Sequence, residues 1–241
     1  ETKVEAKTEP KPEVKTETNT EVKTESSLSS KDSHRNSIIT PAEDIFEQSV
    51  EAEKAKDYDK AFKLCKKAAV AGNPRAQYNL AYYFEKGRGC KVDTKKALEW
   101  YEKAVVSGYG PAAFTLGYYY QEGNGITVKD AASAYNYYKI GADLGDRNAM
   151  SALADCYCNG NGTSKDINKA LDLYLKLSED DPDGYNAYMV GFFYDYRRYL
   201  DHSKKYTKEE KMADDLEAAK WYRKAAEKNI KEATLSVGVC Y

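Results

Sequence analysis

The side chains best suited to nucleophilic or metal chemistry are few. There are two histidines, His34 and His202, and five cysteines, Cys65, Cys90, Cys156, Cys158 and Cys240. A Ser/His or Cys/His pair works only when ordered elements hold the base beside the nucleophile. His34 falls in a low-complexity tail and His202 in a basic insertion, so no such pair can be assembled. Cys156 and Cys158 are two residues apart, which on a helix points the thiols to different sides. A zinc site would need further ligands nearby, and none is evident. An odd number of cysteines without a repeating spacing suggests free thiols in a reducing compartment. Gly87, Gly123 and Gly160 each close a helix, whereas a phosphate-cradling loop opens one. Carboxylates are scattered over solvated faces. No catalytic residue, metal ligand or cofactor is assigned, the chain is read as a non-enzyme, and the chemistry left is recognition.

The elements that would carry it are written as a repeat. Copies begin at Ala76, Ala112, Ala149, Asn186 and Ala233, in steps of 36, 37, 37 and 47 residues. A period of this length marks a solenoid. In the first helix of each unit an aliphatic follows four residues on (Leu80, Leu116, Leu153, Val190, Val237). Ala or Gly comes at +5 (Ala81, Gly117, Ala154, Gly191, Gly238), and an aromatic at +8 (Phe84, Tyr120, Tyr157, Tyr194, Tyr241). These positions share one helical stripe. A Gly-x-Gly turn follows, its first glycine suited to the left-handed position after a helix. Asp93, Asp130, Asp166 and Asp214 are then expected to cap the second helices. Four residues beyond each lies an Ala, and after four more an aromatic: Tyr101, Tyr138, Tyr174 and Tyr222. Cys65 takes the corresponding slot of the opening pair and is read as a buried thiol.

The resulting organisation is a low-complexity tail at 1–39 and a capping helical pair at 40–75. Repeats follow at 76–111, 112–148, 149–185 and 186–232, and a further repeat starts at 233–241. Thr40, Pro41 and Glu43 have the order of a capping box. The tail, rich in Lys, Glu, Thr and Ser, buries too little apolar surface to order itself; Ser37, two residues after Arg35, is a candidate phosphosite at its end. The fourth repeat lacks the Gly-x-Gly and carries a basic insertion at 196–213. Either the first helix runs on there or a structured loop leaves the solenoid; Arg197, Arg198, Lys204 and Lys205 are candidates for holding an acidic or phosphorylated partner, and a tolerated surface insertion is the other reading. Asn161-Gly162-Thr163 fits a glycosylation sequon in a turn, which the cysteine pattern speaks against using.

The segments LGYYYQEGNG at Leu116 to Gly125, KALEWYEKAV at Lys96 to Val105 and DLEAAKWYRKAAE at Asp215 to Glu227 resemble Sel1-like repeats, a subclass of the tetratricopeptide-type helical solenoids. The resemblance covers about residues 57 to 241. It implies an all-α, right-handed α-solenoid of antiparallel helix pairs, about eleven helices in all. It also implies an adaptor or regulatory role of the kind such proteins play in degradation assemblies or as activators of membrane enzymes.

A function on such a scaffold is read from its surface. The net charge is −2 and the mean hydropathy −0.78, which gives no basic footprint for nucleic acid and no membrane-inserting run. The expected partner is a protein, held by a monomeric solenoid on the concave face. At +6 of the first helices, off the packing stripe, stand Tyr82, Tyr118, Asp155 and Phe192, with Val239 in the last. At +9 stand Glu85, Gln121, Cys158 and Asp195. Tyr82, Glu85, Tyr118, Gln121, Asp155, Phe192 and Asp195 are the candidate contacts, though the aromatics at +6 equally suit inter-helix packing. The chain runs from Glu1 to Tyr241, in mid-motif, and reads as a fragment; an alternative is therefore the regulatory arm of a larger enzyme such as a kinase. A secreted, disulfide-closed repeat protein is disfavoured by the cysteine spacing. A cytoplasmic location is expected, with the ER lumen left open.

Overall fold

The computed structural model describes residues 40–123, 126–200, 205–228, 230, 231 and 233, without the side chains of 197, 198 and 200. The tail with Ser37, Lys204, and nearly all of the last repeat lie outside the described residues. Ten α-helices occupy the rest: α1 Pro41–Lys54, α2 Tyr58–Val70, α3 Pro74–Lys86, α4 Thr94–Val106, α5 Gly110–Glu122, α6 Ala131–Asp143, α7 Arg147–Asn159, α8 Ile167–Leu177, α9 Tyr185–Leu200 and α10 Lys208–Ala226. They pack as successive pairs, α1 on α2 through α9 on α10, and each pair packs on the next. This is an all-α solenoid. No described helix is long and apolar enough to cross a membrane.

The local signals act where the sequence places them. Gly87, Gly123 and Gly160 end α3, α5 and α7 at φ of 68°, 67° and 75°, the left-handed region that suits glycine. The second glycine of the turn has a different task. A Cβ on Gly89 would sit 2.2 Å from the Tyr58 carbonyl oxygen, and one on Gly162 would sit 2.0 Å from that of Ala131. Each turn therefore lies directly on the first residue of the preceding unit's second helix. Asp57, Asp93, Asp130 and Asp166 cap α2, α4, α6 and α8, accepting from first-turn amides. Between units, Asn73 and Asp146 cap α3 and α7 in the same way. Arg147 closes the far end of α8, its guanidinium donating to the Leu177 carbonyl at 2.6 Å and to that of Asp180.

Small and aromatic residues interlock within each pair. A Cβ on Gly117 would meet the Tyr138 ring at 2.5 Å, and one on Gly191 the Tyr222 ring at 2.7 Å. The second-helix tyrosines Tyr101, Tyr138, Tyr174 and Tyr222 are all buried, as is Cys65 in the opening pair. Burial pushes the Cys65 thiol up to about 12.

Two expectations are corrected here, and one left open is decided. Glu43 does not return to the α1 cap: Thr40 accepts from the Glu43 amide, but the Glu43 carboxylate accepts from Asn73 and Arg75. That bond ties the first pair to the start of α3. Asp214 is no cap: it lies inside α10, buried, while Thr207 and Glu210 form a reciprocal capping box seven residues earlier. Of the two courses open to the insertion at 196–213, a longer first helix or a loop, the first is seen. The insertion lengthens α9 to 16 residues and α10 to 19, against 13 for α3 to α7.

Candidate functional site

The first helices carry three adjoining columns of residues, and their surroundings differ. The column at +7, absent from the sequence reading, is buried throughout: Tyr83, Tyr119, Cys156 and Phe193. In the first two units its hydroxyls reach back one unit. Tyr83 donates to Glu53 at 3.0 Å and Tyr119 to Glu85 at 2.6 Å. Chemical type gives little signal here, because Tyr, Cys and Phe alternate; the column is visible only as one that is never charged.

The column at +9 serves the tyrosines of the second helices. Tyr101 donates to Glu85 at 2.9 Å, Tyr138 to Gln121 at 3.0 Å, and Tyr222 meets Asp195 at 3.5 Å. In the third unit +9 is Cys158, a poor acceptor. Tyr174 turns instead to Asp155, one turn earlier, at 3.2 Å. The acidic interruption at +6 thus has a partner inside its own unit. Glu85 is well enclosed, its side chain 11 % exposed, with Lys86 at 2.6 Å as well as the two hydroxyls. Burial would raise its carboxyl pKa, but the hydrogen bonds from Lys86, Tyr119 and Tyr101 outweigh this and hold it below the usual value. The same burial, with Glu85 beside them, raises the Tyr101 and Tyr119 phenols.

The aromatics at +6 divide. Tyr82 is half-buried beneath Arg88, whose guanidinium lies 5.1 Å from its ring centre and 5.5 Å from that of Tyr58 while pairing with Glu53 at 2.9 Å. Such cation–π contacts fix the arginine over the rings. Tyr118 stands out at 48 % exposure. Phe192 is half-buried and stacks on Tyr196 with 4.8 Å between ring centres. Lys205 is exposed, and the backbone at Arg197 and Arg198 is helical.

No group of three or more His, Cys, Asp or Glu side chains among the described residues could hold a metal ion. The free cysteines Cys65, Cys90, Cys156 and Cys158 make no disulfide.

The Sel1 repeat profile matches at residues 52–73, 74–105, 110–146, 147–181 and 210–230. The chain belongs to the Sel1 repeat family. The matches leave out 182–209, the segment that holds α9 and its connection to α10. Among solved structures the chain is similar to a Sel1 repeat protein from Oxalobacter formigenes, at 27 % identity and a TM-score of 0.63, covering 87 % of this chain and 81 % of that one. A Sel1 repeat protein from Klebsiella pneumoniae matches at 20 % identity and a TM-score of 0.45, over 83 % of this chain and 92 % of that one. No curated protein matches the sequence.

Proposed function

We propose that this Sel1 repeat chain is a protein-interaction scaffold that presents the +6 face of its first helices to a protein partner. The observation that carries the reading is Tyr118. Its phenol ring lies on the row shared with Tyr82 and Phe192, in the middle of the array, and is 48 % exposed. An aromatic left open on a row whose other rings, Tyr82 and Phe192, are half-buried is the residue type favoured at the centre of interfaces. Around it Gln121 and Glu122 supply polar groups, bonded to each other at 3.1 Å. Glu85 and Asp155 enter as supports of the framework that holds the row, since their acceptors are used by buried tyrosines.

The test compares partners recovered from native lysate by the wild-type chain and by Tyr118→Ala, quantified by mass spectrometry. At least one partner is expected to fall roughly tenfold or more, as for loss of an interface anchor. The thermal midpoint should move by under about 2 °C, because an exposed ring contributes little to folding. Recovery of the same set at the same levels by both proteins refutes the reading.

A further inference from the structure

The departure of the fourth unit from the family pattern has a surface consequence. Tyr185, Met189, Phe192, Tyr196 and Tyr199 follow one another along α9 at steps of four, three, four and three. That spacing keeps them on one side of a helix. Tyr185, Tyr196 and Tyr199 are 49 %, 44 % and 62 % exposed, and Met189 and Phe192 are half-buried beneath them. The rings of Phe192, Tyr196 and Tyr199 touch in series, with 4.8 Å and 6.3 Å between centres. In the other units the position of Tyr196 is held by Lys86, Glu122 and Asn159, so solenoid packing asks for nothing aromatic there.

The same end of the α9–α10 pair is basic. Lys205, Lys208 and Lys211 are exposed, and among the described residues none of their ammonium groups forms an ion pair or hydrogen bond. Lys208 and Lys211 sit in the opening turn of α10, where the helix dipole disfavours cations. Glu209 shares that turn, and Glu210 is engaged in the capping box. An exposed aromatic stripe about 20 Å long, running to the end of the pair that carries three ammonium groups without partners, is complementary to one kind of occupant.

We infer that the outer side of α9, with the lysines at the start of α10, is a docking strip for an acidic amphipathic segment of a protein partner. The partner's apolar residues would lie along Tyr185, Phe192, Tyr196 and Tyr199, as in helix-in-groove recognition. Its carboxylates would meet Lys205, Lys208 and Lys211, which set orientation and association rate. The assignment rests on the interaction-scaffold reading but names a surface that meets the +6 row only at Phe192, two units away from Tyr118.

The test uses the whole chain and two fluorescein-labelled peptides of about 18 residues, or five helical turns. One is built of Glu, Leu and Phe at helical spacing, and the other has Lys in place of Glu. Anisotropy at low salt is expected to show binding of the acidic peptide and at least tenfold weaker binding of the basic one. Tyr196→Ala combined with Tyr199→Ala should weaken the acidic peptide roughly tenfold or more. Lys208→Gln combined with Lys211→Gln should weaken it about threefold and flatten its salt dependence. Tyr118→Ala should bind it as wild type does. Four outcomes overturn the inference: no binding of the acidic peptide, equal binding of both peptides, an unchanged affinity in the tyrosine variant, or self-association in light scattering that the tyrosine variant abolishes. The last would assign the strip to a second copy of this chain. If the peptide fails while the Tyr118-dependent partner is still recovered, the strip falls and the scaffold reading stands.

Discussion

Glu85 joins three helices, and its replacement should report on how the first two repeats are coupled. Its carboxylate, on α3, accepts from Tyr101 on α4 and Tyr119 on α5. Glu85→Ala removes the carboxylate acceptor of both buried hydroxyls, at about 1–3 kcal/mol each. The site lies close enough to solvent for water to enter, so the lower half of the range applies and the total is about 3 kcal/mol. For a chain of this size that lowers the thermal midpoint by about 6–12 °C. Glu85→Gln keeps an acceptor and loses only the charge, which costs about 1 kcal/mol. The two variants also differ in pH behaviour. The folded pKa of Glu85 lies below its unfolded value near 4.5, so its contribution is fully present above that value and fades as pH falls through the folded one. The gap between wild type and Glu85→Gln should therefore be constant from pH 8 to 6 and close on acidification. Chemical unfolding at several pH values measures this. Because repeat arrays are stabilised by nearest-neighbour terms, Glu85→Ala should also broaden the transition. The decisive arm is a double-mutant cycle with Tyr119→Phe, in which a coupling of at least about 0.5 kcal/mol is expected. Additive effects, or equal losses in the Ala and Gln variants, would refute the hydroxyl network as a source of stability.

Two further outcomes follow from the packing. Gly145 and Gly162 both have positive φ, 82° and 71°, but a Cβ meets nothing at the first and the Ala131 carbonyl at the second. Gly145→Ala should cost about 1 kcal/mol of backbone strain and Gly162→Ala at least about 1 kcal/mol more, from the added clash; equal midpoints would sink the account of the second turn glycine. Burial places the Cys65 and Cys156 thiols at about 12 and about 11, so at neutral pH both should be alkylated roughly a hundredfold or more slowly than in denaturant. Peptide mapping after brief labelling checks this, and native-state labelling of Cys65 at its unfolded rate contradicts it.

Most of the scaffold was legible because it rests on short-range chemistry. A glycine at the left-handed end of a helix and an aspartate at the start of the next are read within a few residues, and they fall where expected at Gly87, Asp93, Gly123, Asp130, Gly160 and Asp166. The errors arose where a distant partner decides. Asp214 keeps the spacing of a cap, but a stronger start at Thr207 and Glu210 captures the helix end and leaves the aspartate inside. Glu43 has the position of a capping-box residue and finds Asn73 and Arg75 across the helix pair. Glu85, Gln121 and Asp155 look like free polar groups in one helix, and only the neighbouring helix shows the tyrosine hydroxyl that occupies each.

The fourth unit shows how such a fold varies without losing its core. The position that holds Gly87, Gly123 and Gly160 in the other units is Arg197 here. A residue with a Cβ disfavours the left-handed conformation that ends the helix, so the chain continues to Leu200. Packing columns on the first helix end at about +9, with Asp195, so residues added beyond them meet solvent. Those residues include Tyr196 and Tyr199, and the lengthened start of α10 brings Lys208 and Lys211 to the same end. The missing glycine stop and the longer step of this unit together convert a turn into surface. That surface is where this chain departs from the repeat that the family pattern describes.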